Sequence, residues 1–427
     1  MQNILSKPFS KKTLVANFIA LILCSNLALT SLSANNGDIN RSRPERDAAL
    51  NMVDDRLQAA SSRFAFKLYD QITKQRTSEN TFVSPASVML ALAMTYNGAD
   101  GTTRQGMART LEIEGMSLDE VNRAFAELKS ALNPTDPKIQ LKIANSLWAR
   151  KEFALRPAFI KRSKDYYEAE IASLDFANPA APKTINSWVN KNTEGKIDKI
   201  VDQISSDAVL FLINAIYFKG QWQIEFKKEN TKPDVFRFSG GRKEVPMMSQ
   251  SGNYLYYKGK DFQSVVLPYG TGSVSMYIFL PDEQIGLDQF ERNLTPENWE
   301  MWMKSYQFTP GDLMLPRFKV EWESKLNDAL KALGMAEAFD PQRANFSQIA
   351  EPNSGQLYIS EVKHKSWVEV NEEGTTAVAV TSVGVFTASA QQPREKFVMK
   401  VDRPFFFAIR DNRTGVVLFM GSVAKPG

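Results

Sequence analysis

Beyond Met52 the apolar residues fall at helical intervals. Leu57, Phe64, Leu68 and Ile72 line one face, the mark of an amphipathic helix with a single buried stripe. Ser84-Pro85-Ala86-Ser87 predicts the start of a second helix, with proline where its missing N–H costs nothing. Val88 to Tyr96 is apolar almost all round, so this helix is expected to be buried. Asn97-Gly98 supplies its C-terminal stop. Ile139–Trp148 and Phe211–Phe218 read as strands, the second apolar enough for the middle of a sheet. Val265-Val266-Leu267 and Ser275–Leu280 continue the strand pattern, and Glu323–Leu333 returns to helix.

Further on, Val362, His364, Ser366, Val368 and Val370 alternate with Lys363, Lys365, Glu369 and Asn371, a strand with one inward face. His364, the only histidine, falls on that face. Asn371-Glu372-Glu373-Gly374 follows, then nineteen residues without a charge, Thr375 to Pro393. This stretch is too polar for a buried strand and too uncharged for an ordinary solvated loop. No repeat, low-complexity tract or linker interrupts Met52 to Gly427. The reading is one large mixed α/β domain over residues 53–427.

Composition alters that picture only at the N-terminus. With 43% hydrophobic and 23% charged residues in 427, the chain is ordinary for a globular protein. Three charges of its formal +4 are Lys7, Lys11 and Lys12, within a first 33 residues that hold no acid. A nearly neutral remainder gives no reason to expect nucleic acid as a partner. The lysines precede an apolar run, Leu14 to Leu32, and Ser31 and Ser33 sit at the small positions of a signal-peptidase site. Residues 1–33 therefore read as a secretory signal and 34–52 as a polar leader, which predicts a secreted protein. A retained membrane anchor is the alternative, since the run is long. Cys24 is the only cysteine, and bulky Leu23 before it argues against a lipoprotein site. The mature chain would have no disulfide, no thiol nucleophile and no cysteine-ligated metal. No cofactor is expected.

Catalysis finds little support. There is no Gly-x-Ser-x-Gly elbow. The Ser-x-x-Lys patterns at Ser360–Lys363 and Ser422–Lys425 are of a kind expected by chance. Any Ser-His-acid triad would have to use His364, more simply read as a hydrogen-bonded core histidine. The chain is expected not to be an enzyme.

Several segments, in order, resemble the serpin family. Asn80-Thr-Phe-Val-Ser-Pro-Ala-Ser-Val-Met-Leu-Ala-Leu-Ala-Met-Thr-Tyr-Asn-Gly-Ala-Asp-Gly-Thr-Thr103 is similar to its second-helix signature. Phe211-Leu-Ile-Asn-Ala-Ile-Tyr-Phe-Lys-Gly-Gln-Trp222 is similar to its central strand and following tryptophan. Val245-Pro-Met-Met248, Tyr277-Ile-Phe-Leu-Pro281, Leu315-Pro-Arg-Phe318 and Asp402-Arg-Pro-Phe-Phe-Phe407 also fit. So does Val370-Asn-Glu-Glu-Gly-Thr-Thr-Ala377, which resembles the serpin hinge.

The resemblance implies a mixed α/β fold with three β-sheets, about nine helices and an exposed reactive loop at about residues 374–396. It implies a serine protease inhibitor whose loop is cleaved while still acylated, then inserts as a strand and traps the protease covalently. The hinge would comprise Glu372, Gly374, Thr375, Ala377 and Ala379. Ser84, Ser87, Asn214 and His364 match the polar shutter beneath the sheet, and Trp222, Arg317 and Glu372 the breach at its top. Counting along the loop from Gly374 places the scissile bond between Ala388 and Ser389. The reactive site is then Val385, Phe386, Thr387, Ala388 and Ser389.

Small or apolar residues there suit elastase-like proteases first and chymotrypsin-like ones second. In a strand, alternate residues share a face. Thr375, Ala377, Ala379 and Thr381 form a small, uncharged set that would not obstruct entry into a sheet, while Thr376, Val378 and Val380 form the other. Met116–Leu132, matching the family's cofactor-binding helix, carries Asp119, Glu120, Arg123, Glu127 and Lys129. This mixture is no polybasic stripe, so heparin binding is not expected. A monomer is expected. The main alternative is a serpin-fold carrier, chaperone or storage protein without inhibitory activity.

Overall fold

In the computed structural model, which describes residues 53–74, 79–205, 207–351, 355–375 and 395–427, the first apolar stripe is buried along helix α1 (Asp55–Lys74). Helix α2 (Pro85–Tyr96) is buried at every position, and the Ser84 hydroxyl caps it by accepting from the Ser87 N–H. The remaining helices are α3 (Gly101–Thr110), α4 (Leu118–Leu132), α5 (Pro157–Tyr167), α6 (Ala181–Asn192), α7 (Gly286–Arg292), α8 (Pro296–Met303) and α9 (Asn327–Leu330). The segments proposed as signal and leader, 1–33 and 34–52, lie outside the described residues.

One six-stranded sheet positions the site. It contains β2 (Ile139–Arg150), β3 (Glu170–Leu174), β4 (Leu210–Gln221), β10 (Phe318–Lys325), β11 (Glu361–Asn371) and β12 (Gly374–Thr375). Their order across the sheet is β10-β11-β12-β4-β2-β3, with β11 also pairing directly to β4. The other strands are β1 (Thr81–Val83), β5 (Lys232–Phe238), β6 (Gly241–Lys258), β7 (Phe262–Tyr269), β8 (Val274–Pro281), β9 (Gln307–Pro316), β13 (Phe397–Lys400), β14 (Phe405–Asp411) and β15 (Val417–Val423). These nine form one hydrogen-bonded network. The eighteen-residue β6 joins its two parts, pairing β5 and β9 along most of its length and β7 at its end. The implied second and third sheets are thus continuous through this strand.

Strand β4 shows why the six-stranded sheet needs cover on both faces. Leu210, Leu212, Ile216 and Phe218 join the main core, whereas Phe211, Ile213 and Ala215 join a second cluster with Ile185 and Val189 of α6 and Ile197, Ile200 and Val201 of the chain after it. An apolar run without alternation is what a doubly covered strand requires. The helix expected over Glu323–Leu333 begins only at Asn327 and runs on past Leu330 as a π-helical stretch, Lys331–Met335. Glu323, Ser324 and Lys325 are instead paired to Lys365, His364 and Lys363; the cross-strand ladder outweighs local helix propensity.

Candidate functional site

The six-stranded sheet forks. Glu361–Trp367 of β11 lies parallel to Phe211–Tyr217 of β4; above that pair the strands separate and β12 fills the gap. Thr375 is opposite both Val370 and Gly220, and Gly374 opposite Asn371 and Gln221. The Asn371 side chain sets the turn, its Oδ1 accepting from the N–H groups of Glu373 at 3.0 Å and Gly374 at 3.2 Å. Gly374 has φ +146°, and a Cβ there would stand 2.1 Å from the Gly220 carbonyl oxygen. Only glycine fits this approach. Thr375 is fully buried, its hydroxyl 2.6 Å from the Tyr269 hydroxyl.

Trp222, Arg317 and Glu372 are brought together at the top of this fork. Arg317 Nε donates to both Glu372 oxygens at 2.9 and 2.8 Å, and a terminal guanidinium nitrogen donates at 2.6 Å. Thr231 donates to the same carboxylate. Burial pushes the Glu372 carboxyl up, but these donors outweigh it and hold it below the usual carboxylate range. Trp222 donates its indole N–H to the Asn371 carbonyl at 2.9 Å and its backbone N–H to the Glu373 carbonyl at 2.9 Å. Its ring stacks on Tyr269, centroids 4.4 Å apart.

Lower down, Ser84, Ser87, Asn214 and His364 form one buried network where α2 begins beneath the sheet. The Ser84 backbone N–H donates to His364 Nε2 at 3.2 Å. That nitrogen must therefore carry the lone pair, leaving Nδ1 to donate to Asn214 Oδ1. Asn214 in turn donates to Ser87 Oγ and to Asn145 Oδ1, and Ser84 Oγ donates to the Leu418 carbonyl at 2.6 Å. Burial pushes the His364 pKa down to about 3, so the imidazole is neutral. With both ring nitrogens committed, it has no free nitrogen to act as a general base.

Sequence reasoning missed Asn145, Asn371 and Tyr269. Asn145 had a signal, a polar residue inside the apolar strand Ile139–Trp148, whereas Tyr269 had none because its partner is distant in sequence. Ala377, Ala379 and all of Val385, Phe386, Thr387, Ala388 and Ser389 lie outside the described residues. On α4, Glu120 closes a capping box with Ser117 and lies 3.2 Å from Arg56, and Lys129 pairs with Glu168.

Residues 59–426 match the family model "Serpin (serine protease inhibitor)". The chain is 37% identical over 385 residues to the leukocyte elastase inhibitor of Homo sapiens, covering 87% of this chain and 100% of that protein. It is 36% identical over 380 residues to Serpin B8 of Homo sapiens, with the same coverage. Among solved structures, the thermophilic serpin tengpin in its native state matches with a TM-score of 0.81 and 35% identity, covering 87% of this chain and 95% of that one. Thyroxine-binding globulin complexed with thyroxine matches with a TM-score of 0.78 and 27% identity, covering 86% and 99%. These relatives overturn the expected secretion. The leukocyte elastase inhibitors and Serpin B8 are intracellular and lack signal peptides. Their whole length is matched by 87% of this chain.

Proposed function

The chain belongs to the serpin family of serine protease inhibitors, and from that premise we propose that it inhibits a serine protease as a suicide substrate. The protease acylates the loop near Ala388 and Ser389. The freed segment then enters the six-stranded sheet between β11 and β4, and the protease is trapped as a covalent complex. The chain acts as a monomer and performs no catalysis of its own.

The observation that carries this reading is the fork: β12 already lies between β11 and β4, with Thr375, small and uncharged, facing inward. Strand addition of this kind is the established behaviour of serpin loops. About a dozen new ladder bonds at roughly 1 kcal/mol each would release on the order of 10 kcal/mol, comparable to the stability of a domain.

The uncharged segment Thr375–Pro393 supports an elastase-like target, with chymotrypsin-like cleavage after Phe386 second. The relative named leukocyte elastase inhibitor favours the same class. Incubation with pancreatic elastase tests the proposal, the expected result being a covalent complex that survives denaturant and gel electrophoresis. Cleavage of the loop with full recovery of elastase activity would overturn inhibition in favour of a carrier or storage role.

A further inference from the structure

The hinge segment does not stop at the rim of the sheet. Gly374 and Thr375 are paired on both sides, to β11 and to β4, and Thr375 is fully buried with its hydroxyl against Tyr269. Tyr269 is also held by contacts outside the hinge, to Phe218 and through the backbone on either side. Its ring lies against Trp222 at 4.4 Å and edge-on to Phe218 at 5.1 Å. Gly220 makes room for it, since a Cβ there would meet the ring at 2.7 Å. Backbone bonds from Gln223 to Pro268 and from Gly270 to Gln221, both 2.8 Å, fix the strand on either side. The phenol is therefore a prepositioned buried hydroxyl. Without Thr375 it would be left unpaired, which costs more than making the bond gains.

We propose that Tyr269 is a positioning residue that holds the uncleaved protein in a resting state with one hinge residue, Thr375, already inserted. Insertion after cleavage then begins from a strand already started. This deepens the proposed inhibitory function and, for its effect on trapping, rests on it.

The test is a double-mutant cycle on the full chain with Tyr269→Phe, Thr375→Val and both together. Each single variant strands one hydroxyl in an apolar site, whereas the double variant strands none. Hydrogen exchange of the peptide spanning Asn371–Thr375 is the direct readout, and it needs no protease. Each single variant should exchange about three- to tenfold faster, the worth of one buried hydrogen bond. The double variant should return toward the parent. Elastase trapped per molecule of inhibitor should fall and recover in the same order.

Exchange in the parent as fast as in an unpaired loop would overturn the proposal, as would a double variant whose effect is the product of the singles. Unchanged exchange in both singles would also overturn it. Tyr269→Phe keeps the ring stacking, and Thr375→Val approaches from the other side, so misfolding of one leaves the other decisive. Failure of the parent to trap any protease would sink the inhibitory reading while leaving the exchange result standing.

Discussion

His364 and Asn214 are register partners across the parallel seam between β11 and β4, and their side chains are hydrogen-bonded beneath it. The seam cannot part without breaking that bond. It would leave two buried polar groups to find new partners.

His364→Ala removes the acceptor of the Ser84 N–H and the donor to Asn214 together. Stability should fall by about 1–3 kcal/mol, the cost of orphaned buried groups, measured by denaturant unfolding. A weakened seam should also open to the loop of another molecule, so mild heating should yield loop–sheet polymers. An unchanged unfolding midpoint with no polymers would remove His364 from the shutter.

The same histidine predicts a pH dependence. Its pKa is about 3 in the folded protein against an ordinary value of 6.5. Between those values the unfolded chain binds the extra proton, so stability falls as pH falls, at up to about 1.4 kcal/mol per unit. The depressed Glu372 carboxyl contributes with the same sign, but only below its unfolded value near 4.5. Glu225, raised by burial, works in the opposite direction. Unfolding curves from pH 6.5 to 4.5 should therefore be compared with those of His364→Asn, whose stability should fall less over that range. Equal slopes would place the titrating group elsewhere.

The helices and central strands were legible because their signals are local. The stripe Leu57, Phe64, Leu68, Ile72 and the alternation around His364 each declare which face is buried, and those residues are buried. The breach and shutter sets could be named from the family resemblance; all their members but His364 sit in a quoted motif, and His364 was found by the strand alternation around it. What could not be read was the depth of the hinge. The resemblance implied an exposed loop from about residue 374, whereas Gly374 and Thr375 are buried strand residues paired to Gln221 and Gly220, more than a hundred residues away. The helix end at Glu323 failed for a related reason: Glu323 finds its partner in Lys365, beyond any local window.

Specificity provides a separate test of the scissile bond. No basic residue lies between Thr375 and Pro393, so an elastase should form complex rapidly and trypsin should not. N-terminal sequencing of the released fragment should begin at or near Ser389. Rapid stoichiometric complex with trypsin, cleaved after Arg394, would move the reactive site.

Gly374→Ala should loosen the hinge without adding charge. The new methyl would lie 2.1 Å from the Gly220 oxygen and 2.8 Å from Gln221 Cα, both backbone atoms that cannot swing aside, and φ +146° is itself strained for alanine. The turn should leave the sheet, seen as faster hydrogen exchange over Asn371–Thr375. Parent-like exchange would mean that the close approach relaxes at little cost.

Thr375→Arg separates a trap from an ordinary substrate. The threonine side chain is fully buried beside Tyr269, a ring with no room around it because Phe218 and Trp222 pack against it. A guanidinium in that layer costs several kcal/mol unless it escapes to solvent. Escape requires the hinge to stay out of the sheet. Acylation near Ala388 needs only access to the loop, so cleavage by elastase should continue at a comparable rate. Insertion has lost the started strand it begins from, so deacylation should win and release active protease. Gels should therefore show cleaved inhibitor accumulating with no covalent complex, while the uncleaved variant still unfolds cooperatively. If Thr375→Arg traps elastase as well as the parent does, a Thr375 seated between β11 and β4 is not needed for the inhibition.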